Sequence, residues 1–280
     1  MNCAWEKLLA ILPPRIRRDV DKLGRLSLEE LRLRVGQPIE LCQNNRLFLQ
    51  TCATHEDLQF VINTASRYSP WAAATSSEGY ITAPGGHRIG LCGECVVQAD
   101  SVTGVRTPSS ICIRVARAFP GVGESAPLAG SLLILGPPGV GKTTLLRDVI
   151  RLRSRAGSSV SVVDERGELF PDAIFEPGPR TDILSGCEKQ QGIQMVLRTM
   201  GPQCIAVDEI TAPEDCQALL NALWCGVDVL ATAHATNSSD LMRRPIYRPL
   251  AASGMFDQVI VLQKDKSWRM ERMELCTLNC

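Results

Sequence analysis

The strongest indication of the fold comes from a glycine-rich segment near the middle of the chain, Gly-Pro-Pro-Gly-Val-Gly-Lys-Thr-Thr at residues 136–144. It follows the apolar run from Leu132 to Leu135, which predicts a buried strand, and it precedes a stretch with helical periodicity. When a GxxxxGK[ST] turn connects a strand to a helix, it has the context in which this motif binds the phosphates of a nucleoside triphosphate. The sequence therefore predicts a P-loop nucleotide hydrolase.

Each part of this motif has a physical role in phosphate binding. The glycines allow several backbone N–H groups to point at the phosphate oxygens, and the following helix adds the positive end of its dipole. Lys142 is predicted to contact the β- and γ-phosphates, and the Thr143 hydroxyl to hold Mg²⁺. ATP and Mg²⁺ are therefore the expected ligands. The predicted phosphate-binding residues are Gly136, Pro137, Pro138, Gly139, Val140, Gly141, Lys142, Thr143 and Thr144.

The chain contains two regions with different patterns. From Ser131 onwards, short apolar runs alternate with helical stretches, which is typical of a parallel sheet covered on both faces. Earlier in the chain, short alternating strands and one or two helices predict a small α+β domain, and the Pro-, Gly- and Ala-rich segment from Phe119 to Gly130 predicts a linker. The predicted fold is α/β, with a RecA-like P-loop domain over residues 126–280 after an α+β domain over residues 1–125. The predicted strands of the second domain are Leu132–Leu135, Val160–Val163, Cys204–Val207, Val229–Ala233 and Gln258–Leu262, and its predicted helices cover about 143–153, 188–200, 213–224 and 238–252.

Two strands of the predicted sheet end in pairs of acidic residues. Asp208 and Glu209 end an apolar strand, as in a Walker B segment, where Asp208 would hold Mg²⁺ and Glu209 would orient or deprotonate the attacking water. Asp164, Glu165 and Arg166 end another strand in the same way. Glu165 therefore competes with Glu209 for the role of catalytic base, and the sequence leaves open both this choice and a purely structural role for either pair.

His234 and three arginines are further candidates. His234 ends another apolar strand and is either a sensor of the γ-phosphate or a structural residue. Arg198 and Arg180 could stabilise transition-state charge on a neighbouring subunit, or they could be ordinary surface residues. The predicted catalytic residues are Glu165, Asp208, Glu209, His234, Arg166 and Arg198, and the predicted Mg²⁺ ligands are Thr143 and Asp208.

Composition argues against several classes of protein. Lys+Arg and Asp+Glu are balanced at 30 each, so a strong bulk attraction to nucleic acid or anionic lipid is not expected. Neither a signal peptide nor an apolar run of about 18 residues is visible, which predicts a cytoplasmic protein that reaches a membrane only through partners. Cysteines within apolar runs are predicted to be small buried hydrophobes, namely Cys112, Cys204 and Cys225. Cys92 and Cys95 have the spacing of zinc ligands but lack a second pair.

Several segments together resemble the stage III sporulation protein AA family. They are Gly79-Tyr80-Ile-Thr-x-Pro-Gly-Gly-His87-Arg-x-Gly90, Thr143-Thr-Leu-Leu-Arg147-Asp148, Val-Asp164-Glu-Arg166, Arg180-Thr-Asp182-x-Leu, Val-Asp208-Glu-Ile and Ala-Thr-Ala-His234. The resemblance extends from about Leu26 to Leu262. That family is similar to the ATPases of type II and type IV secretion, which join an N-terminal domain to a RecA-like motor and work as hexameric rings.

This resemblance implies a mother-cell ATPase of endospore-forming bacteria. It would form a homo-oligomeric, hexameric ring in the cytoplasm and act with the membrane proteins of a secretion-like channel at the membrane that faces the forespore. It would have no membrane span of its own. The resemblance also implies that Asp164-Glu165 corresponds to the acidic box of the secretion ATPases, and His234 to their histidine box.

Two other functions stay open from the sequence. A nucleic-acid-dependent ATPase would use a basic region near the N-terminus to contact phosphate backbones, although the balanced charge and the lack of an aromatic-rich basic strand argue against nucleic acid as a partner. The residues of that region are Arg15, Arg17, Arg18, Arg32 and Arg34. A protein that binds nucleotide as a switch or assembly factor, without hydrolysing it, is the other alternative.

Overall fold

The structure is a computed structural model that describes residues 2–23, 28–42, 45–67, 79–98, 101–254, 256 and 258–273. The chain divides into an N-terminal unit, residues 1–118 with 171–174, and a C-terminal unit, residues 119–170 with 175–280. The domain boundary expected between residues 125 and 126 stays a prediction. Within the described ranges, every helix is too short or too polar to cross a lipid bilayer.

The N-terminal unit is an antiparallel sheet with helices against one face. Its strands are β1 (Asn2–Cys3), β2 (Glu30–Arg34), β3 (Pro38–Cys42), β4 (Arg46–Cys52), β5 (Tyr80–Thr82), β6 (Arg88–Gln98), β7 (Ser101–Arg114) and β8 (Arg117–Ala118), and its helices are α1 (Trp5–Ile11), α2 (Pro14–Leu23) and α3 (His55–Ala65). Six strands form a sheet in the order β4-β3-β2-β7-β6-β5, and β1 pairs with β8. Along β2 the buried Leu31 and Leu33 alternate with the half-exposed Arg32 and Arg34, so one face of the sheet enters the core.

The C-terminal unit is built on a mostly parallel sheet. Its elements are β9 (Leu132–Leu135), α4 (Lys142–Arg155), β10 (Val160–Asp164), β11 (Thr181–Ser185), α5 (Lys189–Thr199), β12 (Cys204–Val207), α6 (Pro213–Trp224), β13 (Asp228–Ala233), α7 (Ser238–Arg243), a 3-10 turn (Pro245–Tyr247), α8 (Arg248–Ala252), β14 (Gln258–Leu262) and β15 (Trp268–Glu271). The strand order is β11-β10-β12-β13-β9-β14-β15, and only β15 is antiparallel to its neighbour. All five strands predicted for this region are confirmed.

Helices cover both faces of this sheet. Leu132 and Ile134 of β9 pack in a cluster with residues of α4, whereas Leu133 and Leu135 pack in a second cluster with residues of α5 and α6. Alternate residues of a strand point to opposite faces, so these two clusters lie on the two sides of the sheet. The prediction of an α/β domain with a covered parallel sheet is therefore confirmed.

Some of the predictions made from the sequence are wrong. The single helix expected over 238–252 is broken into α7, a 3-10 turn and α8, because Pro245 lacks a backbone N–H and forces Arg244 into an extended conformation with ψ of 119°. Cys225 is exposed rather than buried, since it follows the last turn of α6, and Cys112 is only half-buried. Cys204 is buried as predicted, and burial raises the pKa of its thiol to about 12.

Candidate nucleotide-binding site

The glycine-rich loop joins β9 to α4 and needs its glycines for two different reasons. Gly139 and Gly141 have φ angles of 77° and 107°, and a Cβ added at either position would meet no atom within 4 Å. Glycine is required there by the backbone conformation, and the space around both positions is open. A Cβ at Gly136 would instead lie 2.8 Å from Val140 Cγ2 and 3.1 Å from the Leu262 carbonyl oxygen, so that glycine is required by packing.

Lys142, the first residue of α4, is connected to the acidic residues through His234. Its Nζ donates to the carbonyl oxygen of Pro137 at 3.0 Å and to Nδ1 of His234 at 3.1 Å. Nε2 of His234 lies 2.8 Å from Oε1 of Glu209. Because an ammonium only donates and a carboxylate only accepts, a neutral imidazole with its proton on Nε2 satisfies both contacts. Burial lowers the pKa of Lys142, and the nearby carboxylates of Glu209 and Asp208 oppose that effect.

Asp208 accepts hydrogen bonds from two threonines. Thr143 Oγ1 donates to Oδ2 at 2.6 Å, and Thr232 Oγ1 donates to Oδ1 at 2.7 Å. The Thr232 hydroxyl also accepts the backbone N–H of Glu209 at 2.8 Å. Glu209 has a φ of 50°, in the left-handed region that costs a non-glycine residue about 1–3 kcal/mol. The bond to Thr232 helps to hold this unfavourable conformation in place.

The residues around Thr143 fit a divalent cation. The Thr143 hydroxyl and the Asp208 carboxylate lie side by side at 2.6 Å, and both offer oxygen, the ligand that Mg²⁺ prefers. Mg²⁺ usually takes only one or two protein carboxylates and completes its shell with water and phosphate. The space next to Gly139 and Gly141 is open, so no side chain fills the position where a phosphate would approach the loop.

Asp164 and Glu165, the second acidic pair, are held by other kinds of contact than Asp208 and Glu209. Asp164 is buried at the end of β10, where it accepts the backbone N–H groups of Glu168 and Leu169, both at 2.9 Å. Burial raises the pKa of Asp164, although these N–H groups partly oppose the effect. Asp164 therefore shapes the loop that follows it. Glu165 is half-buried and forms an ion pair with Lys189, with Oε2 2.5 Å from Nζ.

Both acidic pairs border the same pocket. Its lining residues are Val163, Asp164, Glu165, Arg166, Glu168, Lys189, Asp208, Glu209 and Thr211. They come from the end of β10 and the loop after it, from the loop after β12 and from the first turn of α5. The structure thus brings the predicted residues Glu165, Arg166, Asp208 and Glu209 together, and His234 joins them through its contact with Glu209.

The three candidate arginines have different environments. Arg180 donates to the carbonyl oxygen of Gly157 at 2.6 Å, which is a structural contact within the C-terminal unit. Arg166 is exposed at the pocket, and Arg198 is exposed on α5. Neither Arg166 nor Arg198 has a hydrogen bond or ion pair to another residue within the described ranges. Both guanidinium groups are therefore available to a ligand or to another chain.

Most of the arginines that a nucleic-acid interface would use are engaged inside the N-terminal unit. Three form ion pairs with carboxylates, namely Arg15 with Asp57, Arg32 with Glu30 and Arg34 with Glu40. Arg17 donates to two backbone carbonyls at the end of α1. Carboxylates therefore neutralise three of the five arginines, which reduces the positive charge that this region could offer to a nucleic acid.

Residues 4–270 match the sequence profile of the family described as sporulation stage III, protein AA. The chain belongs to this family. Stage III sporulation protein AA of Bacillus subtilis (strain 168) is 36% identical over 284 residues, which cover 93% of this chain and 91% of that protein. The family resemblance inferred from the sequence motifs is therefore confirmed.

Solved structures show which fold this family member shares. The pilus retraction motor PilT, with bound ADP, superposes with a TM-score of 0.63 at 16% identity, covering 89% of this chain and 77% of that one. The ATPase DotB of Legionella pneumophila gives a TM-score of 0.57 at 18% identity, covering 88% of this chain and 76% of that one. At these identities the likeness concerns the fold alone, a mixed α/β fold with a parallel sheet that is found in secretion and pilus ATPases.

In this member of the sporulation stage III protein AA family, the site includes three polar residues that sequence reasoning missed. Thr232 has a signal in the sequence, because it lies two positions before His234 at the end of an apolar strand, and residues with that spacing point to the same side of an extended chain. No local sequence pattern indicates that Lys189 belongs to the site. Arg147 of α4 donates to the carbonyl oxygens of the loop after Asp164, and its guanidinium stacks 4.3 Å from the ring of Phe175. Burial lowers the pKa of Arg147 to about 10, so it is still charged at neutral pH.

Proposed function

We propose that this chain is a Mg²⁺-dependent ATPase with a RecA-like P-loop domain, and that it drives a secretion-like channel complex during endospore formation. It would work as a hexameric ring in the mother-cell cytoplasm, held at the membrane by the proteins of that complex. The observation that carries the proposal is the unbroken series of polar contacts from Lys142 and Thr143 to Asp208, His234 and Glu209. Family membership and the fold shared with secretion ATPases support the biological setting.

The residues at the start of α4 would bind the triphosphate. Backbone N–H groups of the P-loop and the α4 dipole would hold the phosphates, and Lys142 would leave His234 to contact the β- and γ-phosphates. Thr143 and Asp208 would hold Mg²⁺, which neutralises charge that develops on the phosphate oxygens. The lowered pKa of Lys142 is a consequence of burial, and a bound phosphate would stabilise its charged form.

Glu209 is the better candidate for the catalytic base. It would take a proton from water while the water oxygen bonds to the γ-phosphorus and the bond from that phosphorus to the β–γ bridging oxygen breaks, releasing ADP and phosphate. Two contacts support this choice. Glu209 reaches Lys142 through His234, whereas Oε2 of Glu165 is committed to an ion pair. His234 would orient Glu209 and respond to the position of Lys142.

Steady-state ATP hydrolysis by the purified chain tests these roles. Lys142→Ala should abolish turnover, and Glu209→Gln should lower kcat by about 10²–10⁴-fold with ATP binding retained. Glu165→Gln should have a smaller effect. A larger loss in Glu165→Gln than in Glu209→Gln would reverse the assignment of the base. If the wild-type chain binds ATP but does not turn it over, it is a nucleotide-binding switch instead.

The ring is tested by varying the protein concentration. We propose that Arg198 acts on the site of the adjacent subunit, because it is exposed and unpaired in the described part of the chain, whereas Arg180 is engaged with Gly157. Specific activity should then rise with concentration and fall in Arg198→Ala, and added DNA should have no effect. Specific activity that stays constant down to a demonstrated monomer would refute the ring, and stimulation by DNA with steep salt dependence would favour a nucleic-acid-dependent ATPase.

A further inference from the structure

Lys189 is in a position where a lysine is unfavourable for local reasons. It is the first residue of α5, where the positive end of the helix dipole repels a cation. Its side chain is only 7% exposed, so its ammonium group has lost most of its hydration. A buried cation at this point is therefore unfavourable unless nearby negative charges compensate it. Charged groups kept at such a cost are often found at functional sites.

The contacts of Lys189 join the two loops that carry the acidic pairs. Its Nζ lies 2.5 Å from Oε2 of Glu165, on the loop after β10, and 3.8 Å from Oδ2 of Asp215, in the first turn of α6. Asp215 in turn accepts the backbone N–H groups of Thr211 at 3.0 Å and Ala212 at 3.1 Å. Thr211 is two residues after Glu209 and lines the same pocket.

We infer that Lys189 is a positioning residue for ATP hydrolysis, which fixes the Glu165 carboxylate at the wall of the pocket and ties its loop to the segment that carries Glu209. The inference rests on the ATPase activity proposed above. Lys189 holds one oxygen of Glu165, while the other makes no hydrogen bond to a described residue and can face a ligand in the pocket. Glu165 would then act through its fixed position, with Glu209 as the base.

An ion pair that served only the stability of the fold would behave differently. It would affect unfolding but not the rate of the chemical step. A positioning role predicts that loss of the Lys189 charge lowers kcat while ATP still binds, because the P-loop contacts are untouched. Misplacement of a group near the reacting atoms by about 1 Å can cost on the order of 100-fold in rate. We therefore expect a loss of about 10- to 100-fold in kcat.

Four variants of the full-length chain separate these possibilities. Lys189→Met keeps the length of the side chain without its charge, Lys189→Arg keeps the charge, and Glu165→Gln and the Lys189→Met/Glu165→Gln double variant complete a thermodynamic cycle. Arg155→Met is the matched control, because it removes an exposed ion pair with Glu176, at 2.7 Å, outside the pocket. Each variant is measured for kcat and KM, for the Kd of a fluorescent ATP analogue, and for urea unfolding.

Three results together support the inference. Lys189→Met lowers kcat by about 10- to 100-fold with the Kd changed less than about threefold, Lys189→Arg recovers most of the rate, and adding Lys189→Met to Glu165→Gln lowers kcat little further. Arg155→Met stays at the wild-type rate. A rate loss in Lys189→Met that is not smaller in the Glu165→Gln background would overturn the role through Glu165.

Other results overturn the inference without touching the ATPase proposal. If the two residues are coupled in urea unfolding but Lys189→Met keeps the wild-type kcat, the pair is merely structural. If Lys189 and Glu165 are coupled in neither measurement, their contact contributes neither to ATP turnover nor to the stability of the fold. An inactive wild-type chain would instead refute the ATPase proposal, and with it the positioning role of Lys189, while the unfolding cycle would still report whether the ion pair stabilises the fold.

Discussion

The hydroxyl of Thr232 makes two hydrogen bonds on which the geometry of both site acids depends. It donates to Asp208 and accepts the N–H of Glu209, and the residue is completely buried. Thr232→Val keeps the shape of the side chain and removes the hydroxyl. A bond to a charged acceptor contributes about 1.5–3 kcal/mol and a neutral one about 1 kcal/mol. Asp208 and Glu209 are only half-buried, so hydrogen bonds to water can replace part of the lost stabilisation. We expect Thr232→Val to destabilise the chain by about 2 kcal/mol.

Urea unfolding followed by circular dichroism measures this loss against a control within the same sheet. Ser161 on β10 is also completely buried, but its hydroxyl has no hydrogen-bond partner among the described residues. Ser161→Ala therefore removes a buried hydroxyl without breaking a bond, and it should change the free energy of unfolding by less than about 0.5 kcal/mol or stabilise the chain. If Thr232→Val and Ser161→Ala unfold at the same urea concentration, the bridge at Thr232 contributes no net stability and the reasoning is refuted.

Two further predictions concern the half-buried Arg147 and the buried His87. Arg147→Met removes a cation that holds the loop after Asp164 and stacks on Phe175. It should destabilise the chain by about 2 kcal/mol and speed amide hydrogen exchange at Leu169. Unchanged exchange at Leu169 would contradict this role. Burial lowers the pKa of His87 in the folded chain. As the pH falls, His87 is therefore protonated in the unfolded chain at a higher pH than in the folded chain. The free energy of unfolding should then fall as the pH drops below about 6.5. Urea unfolding from pH 7.5 to 5.5 should show this fall in wild type and a smaller one in His87→Gln; equal slopes would exclude His87 as the cause.

The sequence predicted those elements whose signal is local. The strand before Gly136 and the helix after Gly141 are specified by an apolar run, a turn and a periodic pattern, and their bounds agree with β9 and α4. Strand β11 was missed because it is an edge strand whose side chains are all at least partly exposed, so no apolar run marks it. The break after α7 is not marked by any change in the apolar periodicity, and only Pro245 indicates it.

For the candidate site, the sequence predicted which residues meet but not what holds them. Acids that end neighbouring parallel strands come to one edge of the sheet, so the meeting of Glu165 with Glu209 follows from strand order alone. The ion pair of Lys189 joins residues 24 positions apart in sequence, and no periodic pattern relates them. Such a contact can be found only when the loops after β10 and β12 have been placed in three dimensions.

The order of the central strands explains why Thr232, near the end of β13, and His234, just after that strand, connect the parts of the site. β13 lies between β9, which leads into the glycine-rich loop, and β12, which ends in the acids. Any direct contact between these two sides at the sheet edge must pass the end of β13. Thr232 and His234 are two positions apart and so share one side of the strand, while Ala233 between them is buried in the core on the other side. Thr232 meets the carboxylate of Asp208, and His234 joins Lys142 to Glu209. Thr232 and His234 thus add two polar connections to the direct hydrogen bond from Thr143 to Asp208.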